Sequence, residues 1–320
     1  MTRDWDELID LMKTGSIRAL TRLITWVENR ETGWIEAMKR IYPETGGARL
    51  IGITGSPGAG KSTLTNRIVL DLVERGFTVG VIAVDPSSPF SGGAILADRV
   101  RMMDVSGLDG VFVRSMATRG ALGGLNQSAR DVAKLMDAFG KDYIIIETVG
   151  VGQDEIEVVR TTDLVLVVCV PGQGDAIQAI KAGIMEIADI FVVNKADRDG
   201  ADQVVMDIEG MLALGPHPDG RIPPIMKTDA VNNEGVSALV DQAVDLLGSL
   251  ERETTWQEDR VRDELIGLVE KELVDRIKKN WEQNGGLDQA VKQVLALERD
   301  PYSIVQDVLA PLVHIFPGDE

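Results

Sequence analysis

Residues 50–64 have the sequence LIGITGSPGAGKSTL, which joins an apolar run to a polar, glycine-rich turn. The run Leu50–Thr54 is short and continuous, as in a strand that is buried on both faces. The turn Gly55–Ser62 matches the pattern G-x-x-x-x-G-K-[S/T], and a helical pattern begins at its end. A strand, a glycine-rich turn and a helix in this order predict a phosphate-binding loop in an α/β domain.

Each part of this turn has an expected chemical role. The glycines let backbone N–H groups point inward at phosphate oxygens, and the helix N-terminus adds its positive end. We expect the Lys61 ammonium on the β- and γ-phosphates and the Ser62 hydroxyl on Mg²⁺. The residues predicted to surround the phosphates are Gly55, Pro57, Gly58, Ala59, Gly60, Lys61, Ser62 and Thr63.

Short apolar runs then alternate with helical segments over about 200 residues, which predicts an α/β fold with a doubly wound, mostly parallel sheet of the P-loop NTPase type. The expected strands are Leu50–Thr54, Val79–Asp85, Val111–Arg114, Tyr143–Glu147, Leu164–Val170, Ile190–Asn194 and Pro224–Lys227. The expected helices are Lys61–Glu74, Leu125–Phe139, Ala201–Leu214 and Val236–Ser249.

Helical patterns flank this domain on both sides. We predict a helical N-terminal extension over residues 1–48, a P-loop domain over 49–250 and a helical arm over 251–320. Ser16 is placed as the N-cap of a helix in the extension. In the arm, apolar residues follow one another at i+4 through 254–283, and a second helix is expected from 287 to 299. The apolar face of the arm is broad and has to pack against its own core or a second subunit.

Composition limits the class of protein. The chain has 320 residues, of which 44% are hydrophobic and 26% charged, and this composition excludes a disordered chain. Its net charge of −18 argues against general nucleic-acid binding. No run approaches the ~20 apolar residues of a membrane span, and the acidic N-terminus predicts no secretory signal. One Cys excludes an intramolecular disulfide, and with two His it argues against a soft-metal site. We expect a cytoplasmic protein that binds neither membranes nor nucleic acids.

A second motif, Asn194-Lys195-Ala196-Asp197, follows the strand IFVVN. The Asp197 carboxylate can accept hydrogen bonds from both N1–H and the exocyclic amine of guanine, whereas adenine has no donor at N1. Because an unpaired buried polar group is costly, the motif favours GTP and GDP over ATP. Asn194 is expected to tie this pocket to the phosphate loop, and the Lys195 stem to cover the face of the base.

Three acidic residues lie at or just beyond strand ends, where ligands bind in open α/β sheets: Asp85, Asp98 and Glu147. Asp85 and Glu147 are placed to meet Mg²⁺ directly or through water, and helix capping is the alternative for all three acids. Both interpretations stay open on the sequence.

Two glycines, Gly150 and Gly152, predict a mobile loop close to the γ-phosphate. Gln153 in this loop could orient the attacking water, although a surface glutamine is an equally good interpretation. The candidate catalytic residues are Lys61, Glu147 and Gln153.

Four segments together resemble the MeaB/ArgK/methylmalonic-aciduria-type-A GTPases, which are chaperones of cobalamin-dependent acyl-CoA mutases. The segments are GSPGAGKSTL at 55–64, AVDPSSPFSGGAILADRVRM at 83–102, LGGLNQSARDVAKLMDAFGKDYIIIETVGVGQ at 122–153 and GIMEIADIFVVNKAD at 183–197. The resemblance covers nearly the whole chain.

The resemblance implies phosphate and Mg²⁺ at Lys61 and Ser62, a metal shell that includes Asp85, Asp98 and Glu147, and guanine at Asn194, Lys195 and Asp197. It also implies that Gly174–Gly183 is an extra switch loop that senses the mutase. A homodimer built by the C-terminal arm is implied as well.

Three other functions are weighed against this one. A GTP-driven nickel metallochaperone would need a Cys/His cluster, but Cys169, His217 and His314 are scattered along the chain. An ATP-driven transport accessory or kinase is disfavoured by Asp197. A nucleotide-binding scaffold with incidental hydrolysis would differ in showing no stimulation by a mutase.

Overall fold

The chain forms two compact units, Met1–Thr254 and Thr255–Glu320. The computed structural model describes residues 4–85, 103–117, 124–148, 162–172, 187–213, 221–250 and 254–313. Across these ranges, no helix has both the length and the apolar character that crossing a membrane requires.

The first unit is built around a parallel sheet, in which the described residues form seven strands in the order β3-β2-β4-β1-β5-β6-β7. Each neighbouring pair is parallel, so the carboxyl ends of all seven strands lie at one edge. The predicted α/β fold is confirmed. The strands are β1 Arg49–Gly55, β2 Val79–Asp85, β3 Val111–Ala117, β4 Tyr143–Thr148, β5 Leu164–Cys169, β6 Ile190–Asn194 and β7 Ile225–Thr228.

Helices cover both faces of the sheet, as buried parallel strands require. On one face, Ile51 and Ile145 pack with the apolar sides of α4 and α8. On the opposite face, Ile82 and Ile146 pack with α1, α2, α3 and α6, while Phe191 packs with α7. The helices among the described residues of this unit are α1 Asp4–Lys13, α2 Ile17–Glu28, α3 Trp34–Ile41, α4 Lys61–Glu74, α5 Met103–Ser106, α6 Gly124–Ala138, α7 Ala201–Leu212 and α8 Val236–Leu250.

The N-terminal helices share a core with the sheet. Ser16 caps α2, and its Oγ accepts a hydrogen bond of 3.3 Å from the backbone N–H of Ala19. Leu20 and Leu23 are fully buried against α6 and the β2–β4 side of the sheet. A third helix, α3, follows where the sequence predicted no separate element. The extension is therefore joined to the sheet by packing within one compact unit.

The second unit contains three helices among its described residues: α9 Thr254–Gln283, α10 Gly286–Leu295 and α11 Pro301–Val313. The long helix predicted over 254–283 has these bounds, but the second helix ends at Leu295 instead of at residue 299. Leu297 lies just beyond that end with a φ of 56°, a left-handed conformation in which a helix cannot continue. Helix α11 was not predicted from the sequence.

Helix α11 begins at Pro301, directly after the capping residue Asp300. The Asp300 carboxylate accepts hydrogen bonds from the Ser303 hydroxyl, at 2.5 Å, and from the Ser303 N–H, at 2.9 Å, and these bonds lower the pKa of Asp300. Pro301 takes the first helical position, where its missing N–H costs nothing. The sequence Asp-Pro-x-Ser was the signal that could have predicted this helix.

Candidate nucleotide-binding site

The predicted phosphate loop connects the carboxyl end of β1 to the first turn of α4. Gly55 has a φ of 138°, and a Cβ at this position would lie 2.1 Å from the carbonyl oxygen of Val168 on β5. Gly60 has a φ of 85°, and a Cβ there would lie 2.6 Å from Nδ2 of Asn194. Only glycine fits at either position, because the loop passes directly against β5 and the end of β6.

Lys61 is buried, with a relative exposure of 6%, and its ammonium lies inside the loop. Nζ donates to the carbonyl oxygens of Gly55, at 2.7 Å, and Ser56, at 3.1 Å. These two hydrogen bonds hold the Lys61 ammonium inside the loop. The N-terminus of α4 lies at the same loop, and its dipole also favours binding of an anion. The arrangement is suited to binding phosphate oxygens.

Ser62 and Glu147 come together from two elements. Ser62 follows Lys61 in α4, and its Oγ donates to Oε1 of Glu147 on β4 at 2.6 Å. Glu147 has a relative exposure of only 5%. A hydroxyl and a carboxylate are the hard oxygen ligands that Mg²⁺ prefers, so these two residues fit a magnesium ion beside the phosphate loop.

Asp85 is the last residue of β2, the strand beside β4. Its backbone therefore reaches the same edge of the sheet as Glu147, since Ala83 is the register partner of Glu147. Asp98, Gly150, Gly152, Gln153 and the segment 174–183 lie outside the described residues.

Two buried threonines join β1 to β4 next to the loop, and the sequence analysis did not single them out. Thr148 Oγ1 lies 3.1 Å from Thr54 Oγ1 and 3.4 Å from the carbonyl oxygen of Ile53. Both threonines are almost fully buried. This contact supports the strand ends that carry Gly55 and Glu147.

The turn after β6 contacts the phosphate loop through two side chains. Asn194 Nδ2 donates to the carbonyl oxygen of Ala59 at 2.9 Å, and Lys195 Nζ donates to that of Gly58 at 2.7 Å. Lys195 has a φ of 57°, which turns the chain sharply at this point. Asp197 ends the motif and is exposed. The structure thus brings the two motifs together along one edge of the sheet.

A third segment completes the site, and the sequence analysis missed it. Asn194 Oδ1 accepts hydrogen bonds from the Thr228 hydroxyl, at 3.1 Å, and the Ala230 N–H, at 3.2 Å. The Ala196 N–H donates to the carbonyl oxygen of Thr228 at 3.0 Å. The loop 228–232, which begins with the last residue of β7, is therefore bonded to the turn that carries Asp197.

Asp229 shapes this loop from within. Its carboxylate accepts from the N–H groups of Val231, at 3.0 Å, and Asn232, at 3.2 Å, and from the Asn232 side chain at 2.5 Å. Burial alone raises the pKa of Asp229, but the hydrogen bonds from Asn232 and Val231 outweigh it and hold the pKa below its ordinary value. The carboxylate stays ionised, so the turn is maintained at neutral pH.

Comparison with known proteins identifies the family of this site. The sequence model described as "Methylmalonyl Co-A mutase-associated GTPase MeaB" matches residues 20–282. The chain belongs to the MeaB family. The match includes the phosphate loop, the Asn194–Asp197 turn and the loop after β7.

Relatives of this MeaB-family chain match over nearly its whole length. A putative GTPase of Pyrococcus abyssi is 45% identical over 316 residues, which cover 96% of this chain and 97% of the relative. GTPase ArgK of Escherichia coli K12 is 33% identical over 297 residues, which cover 90% and 89% of the two chains. The crystal structure of an LAO/AO transport system kinase has a TM-score of 0.71 and 26% identity, covering 98% of this chain and 99% of the other.

These matches establish the chemistry at the level of the family. The chain is a P-loop GTPase, an enzyme that converts GTP and water to GDP and phosphate. Guanine-nucleotide binding follows from the same membership.

Proposed function

We propose that this GTPase is a chaperone of a cobalamin-dependent acyl-CoA mutase of the methylmalonyl-CoA mutase type. In this proposal, GTP hydrolysis is coupled to loading or protecting the cofactor of the mutase. The observation that carries it is the family match over residues 20–282, because the family's description names association with methylmalonyl-CoA mutase. A cytoplasmic location is part of the same proposal.

We assign the phosphates to the loop from Gly55 to Thr63. Backbone N–H groups and the Lys61 ammonium would neutralise the phosphate charge, and the ammonium would exchange its bonds to Gly55 and Ser56 for bonds to phosphate oxygens. Lys61 is already buried at this position. Little reorganisation is needed when the nucleotide binds, which supports the assignment.

We assign guanine to the turn Asn194–Asp197. Asp197 would accept from two donors of the base, while the Lys195 stem would cover one face of the ring. Asn194 donates one hydrogen bond to the phosphate loop and accepts another from the Ala230 N–H, and these two bonds would keep this turn at the correct distance from the phosphates. The geometry supports a pocket in which base and phosphates are held by one connected set of loops.

We propose Mg²⁺ binding by Ser62 and Glu147, with Asp85 and Asp98 as further members of the shell. When bound, Mg²⁺ would withdraw charge from the phosphate oxygens. The Ser62 hydroxyl and the Glu147 carboxylate already lie 2.6 Å apart beside the loop, which supports this pairing. Gln153 is proposed to orient the attacking water.

We propose that the chain forms a homodimer through the arm 251–320. Within the second unit, α9 exposes apolar side chains over more than half of their surface, including Val261 at 51%, Leu265 at 59% and Val269 at 58%. A contiguous exposed apolar face is typical of a protein–protein interface. This exposure supports a second subunit as the partner of the arm.

The test of the chaperone function is stimulation of GTP hydrolysis by a mutase. We expect slow turnover alone and a rise of at least about tenfold when the cognate mutase is added, because ordering of mobile switch loops accelerates such enzymes. By linkage, GTP and GDP forms must then bind the mutase with different affinities. Asp175 and Lys181 in the segment 174–183 are the proposed contacts, so their Ala variants should keep basal hydrolysis and lose the stimulation.

Two results would contradict the proposal: equal turnover with and without the cognate mutase, or equal affinity of the GTP and GDP forms for it. Stimulation that survives in both Ala variants would place the contact elsewhere on the chain.

The name of the solved relative supports one second candidate, a kinase that acts in transport. In that case the chain would transfer the γ-phosphate to a protein. Incubation with ATP and GTP that are radiolabelled at the γ-phosphate separates the two functions. A chaperone GTPase releases the label as free phosphate, whereas a kinase leaves it on protein.

A further inference from the structure

Arg67 connects the phosphate-loop helix to the loop that follows β7. It lies on α4, and its Nε donates to the carbonyl oxygen of Ala230 at 3.0 Å. A terminal nitrogen of the same guanidinium donates to the carbonyl oxygen of Val231 at 2.9 Å. The planar, forked geometry of a guanidinium suits two adjacent acceptors, and a lysine ammonium lacks it. Arg67 therefore holds two consecutive peptide groups of the loop 228–232.

These bonds close a ring of contacts around the nucleotide site. Ala230 is held by Arg67 at its carbonyl group and by Asn194 at its N–H group. Asn194 in turn donates to Ala59 in the phosphate loop. The phosphate loop leads directly into α4, which carries Arg67. Phosphate loop, base turn and the loop 228–232 thus constrain one another.

The position of Asp197 depends on this ring. Its side chain is exposed, so the carboxylate is placed by the backbone of its turn. That backbone is bonded to Thr228, at the end of β7, through the Ala196 N–H, and the first residue of the motif, Asn194, accepts from the Ala230 N–H in the loop 228–232. Movement of the loop would therefore displace the carboxylate from the two guanine donors it has to face together.

We propose that Arg67 is a positioning residue for guanine recognition, which acts through the carbonyl groups of Ala230 and Val231. The proposal rests on the assignment of guanine to Asn194 and Asp197 made above. Two parallel hydrogen bonds to one carboxylate tolerate little displacement, because a shift of about 1 Å breaks their alignment. Loss of Arg67 should therefore weaken selection of the base more than it weakens contact with the phosphates.

The test uses Arg67→Met, which keeps the apolar stem and removes both donors, and Arg67→Lys, whose one nitrogen cannot occupy the positions of both Nε and the terminal guanidinium nitrogen. Affinities for GDP and IDP are measured by calorimetry; IDP lacks the exocyclic amine that Asp197 is proposed to bind. For Arg67→Met we expect the GDP Kd to rise about tenfold and the preference for GDP over IDP to fall at least about threefold. Arg67→Lys should be intermediate. In turnover assays, KM for GTP should rise more than kcat falls.

Arg75→Gln, at the C-cap of the same helix, is the matched control. Arg75 pairs with Asp71 at 2.5 Å and with Asp241 on α8 at 2.6 Å, and neither contact involves the loop 228–232. We expect this variant to lower Tm and to leave the ratio of GDP to IDP affinity unchanged. A purely structural role of Arg67 would give the same pattern in Arg67→Met, and that result would overturn the proposal.

Asp197→Ala separates this inference from the proposed pocket. If Asp197→Ala loses the preference for GDP while both Arg67 variants keep the wild-type affinity and preference, the positioning role is wrong and the pocket stands. If Asp197→Ala also keeps the preference, the pocket assignment fails. Should Arg67→Met fail to fold, wild-type affinities in Arg67→Lys would overturn the proposal, because a single lysine nitrogen cannot reproduce the two bonds that Nε and the terminal nitrogen make from separate positions.

Discussion

The Ser62 hydroxyl donates a hydrogen bond of 2.6 Å to the Glu147 carboxylate, and this bond links the first turn of α4 to the carboxyl end of β4. The two residues are 85 positions apart in the chain. Their contact places the proposed metal ligands beside the phosphate loop, where a cation would also meet the phosphate oxygens. Changing the carboxylate without changing its shape is therefore an informative experiment.

Glu147→Gln should impair the response to Mg²⁺ while sparing GDP binding. The amide can still accept from Ser62, but its lost charge should lower turnover at saturating Mg²⁺ about 100-fold. The measurements are GTP hydrolysis against Mg²⁺ concentration and GDP affinity in EDTA. Asp163→Asn is the control, since Asp163 accepts from the Leu50 N–H at the start of β1, away from the site. If the dependence of turnover on Mg²⁺ is unchanged in Glu147→Gln, the assignment of Glu147 as a metal ligand is wrong.

Asp197→Asn should exchange guanine for xanthine. The amide has one acceptor oxygen, so it cannot accept from N1–H and the exocyclic amine of guanine together, whereas its NH2 group can donate to the C2 carbonyl of xanthine. We therefore expect GDP affinity to fall about 100-fold and XDP affinity to rise. Competition binding with GDP, XDP and ADP measures the change. The neighbouring exposed carboxylate, Asp199, provides the control as Asp199→Asn. Retention of the wild-type order of affinities in Asp197→Asn would rule out the base assignment.

The double variant Leu265→Asp and Val269→Asp should dissociate the proposed dimer. Both side chains are more than half exposed on α9, so two carboxylates there cost the isolated chain little but are unfavourable in an apolar interface. Light scattering at micromolar concentration should give the mass of a dimer for wild type and of a monomer for the variant. Arg276→Glu, which changes an exposed ion pair on the same helix, is the control. A wild-type monomer would contradict the dimer.

Cys169 should be unreactive in the folded protein. It is buried on β5, and burial raises the pKa of its thiol from 9.0 to about 12. We expect a thiol reagent at pH 8 to label Cys169 only after unfolding in urea, because the nucleophile is the exposed thiolate. Rapid stoichiometric labelling of the folded chain would contradict the buried, neutral thiol.

The same pKa shift predicts a dependence of stability on pH. The folded state holds the thiol proton more tightly than the unfolded state, so the contribution is fully present below pH 9 and is lost as the pH rises to about 12. Between these values the free energy of unfolding should fall by about 1.4 kcal/mol per pH unit from this group. Comparing wild type with Cys169→Ala isolates the effect, since other groups titrate alike in both. If the free energies of unfolding of the two proteins change with pH in parallel, the predicted effect of Cys169 is wrong.

Much of the nucleotide site was predictable because its motifs are continuous in the sequence. The glycines of 55–60 specify a turn that other residues cannot adopt, and Lys61 and Ser62 follow in a fixed order at the helix start. Apolar runs of strand length likewise predicted the strands of the sheet, because strands buried on both faces contain few polar residues. These properties depend on residues that are neighbours in the chain, so they can be predicted from the amino-acid sequence.

The tertiary structure alone decided which distant residues meet. The strand order β3-β2-β4-β1-β5-β6-β7 and the contact of Ser62 with Glu147 depend on how strands pair in space. Arg67 and Ala230 lie 163 positions apart, and their hydrogen bond has no signature in the sequence around either one. A hydrogen bond acts over about 3 Å, so it depends on folded distance and carries no information about separation along the chain. For this reason the motifs and the connection of Asn194 to the phosphate loop were predictable from the sequence, whereas the contacts of Arg67 and of the loop 228–232 were evident only from the fold.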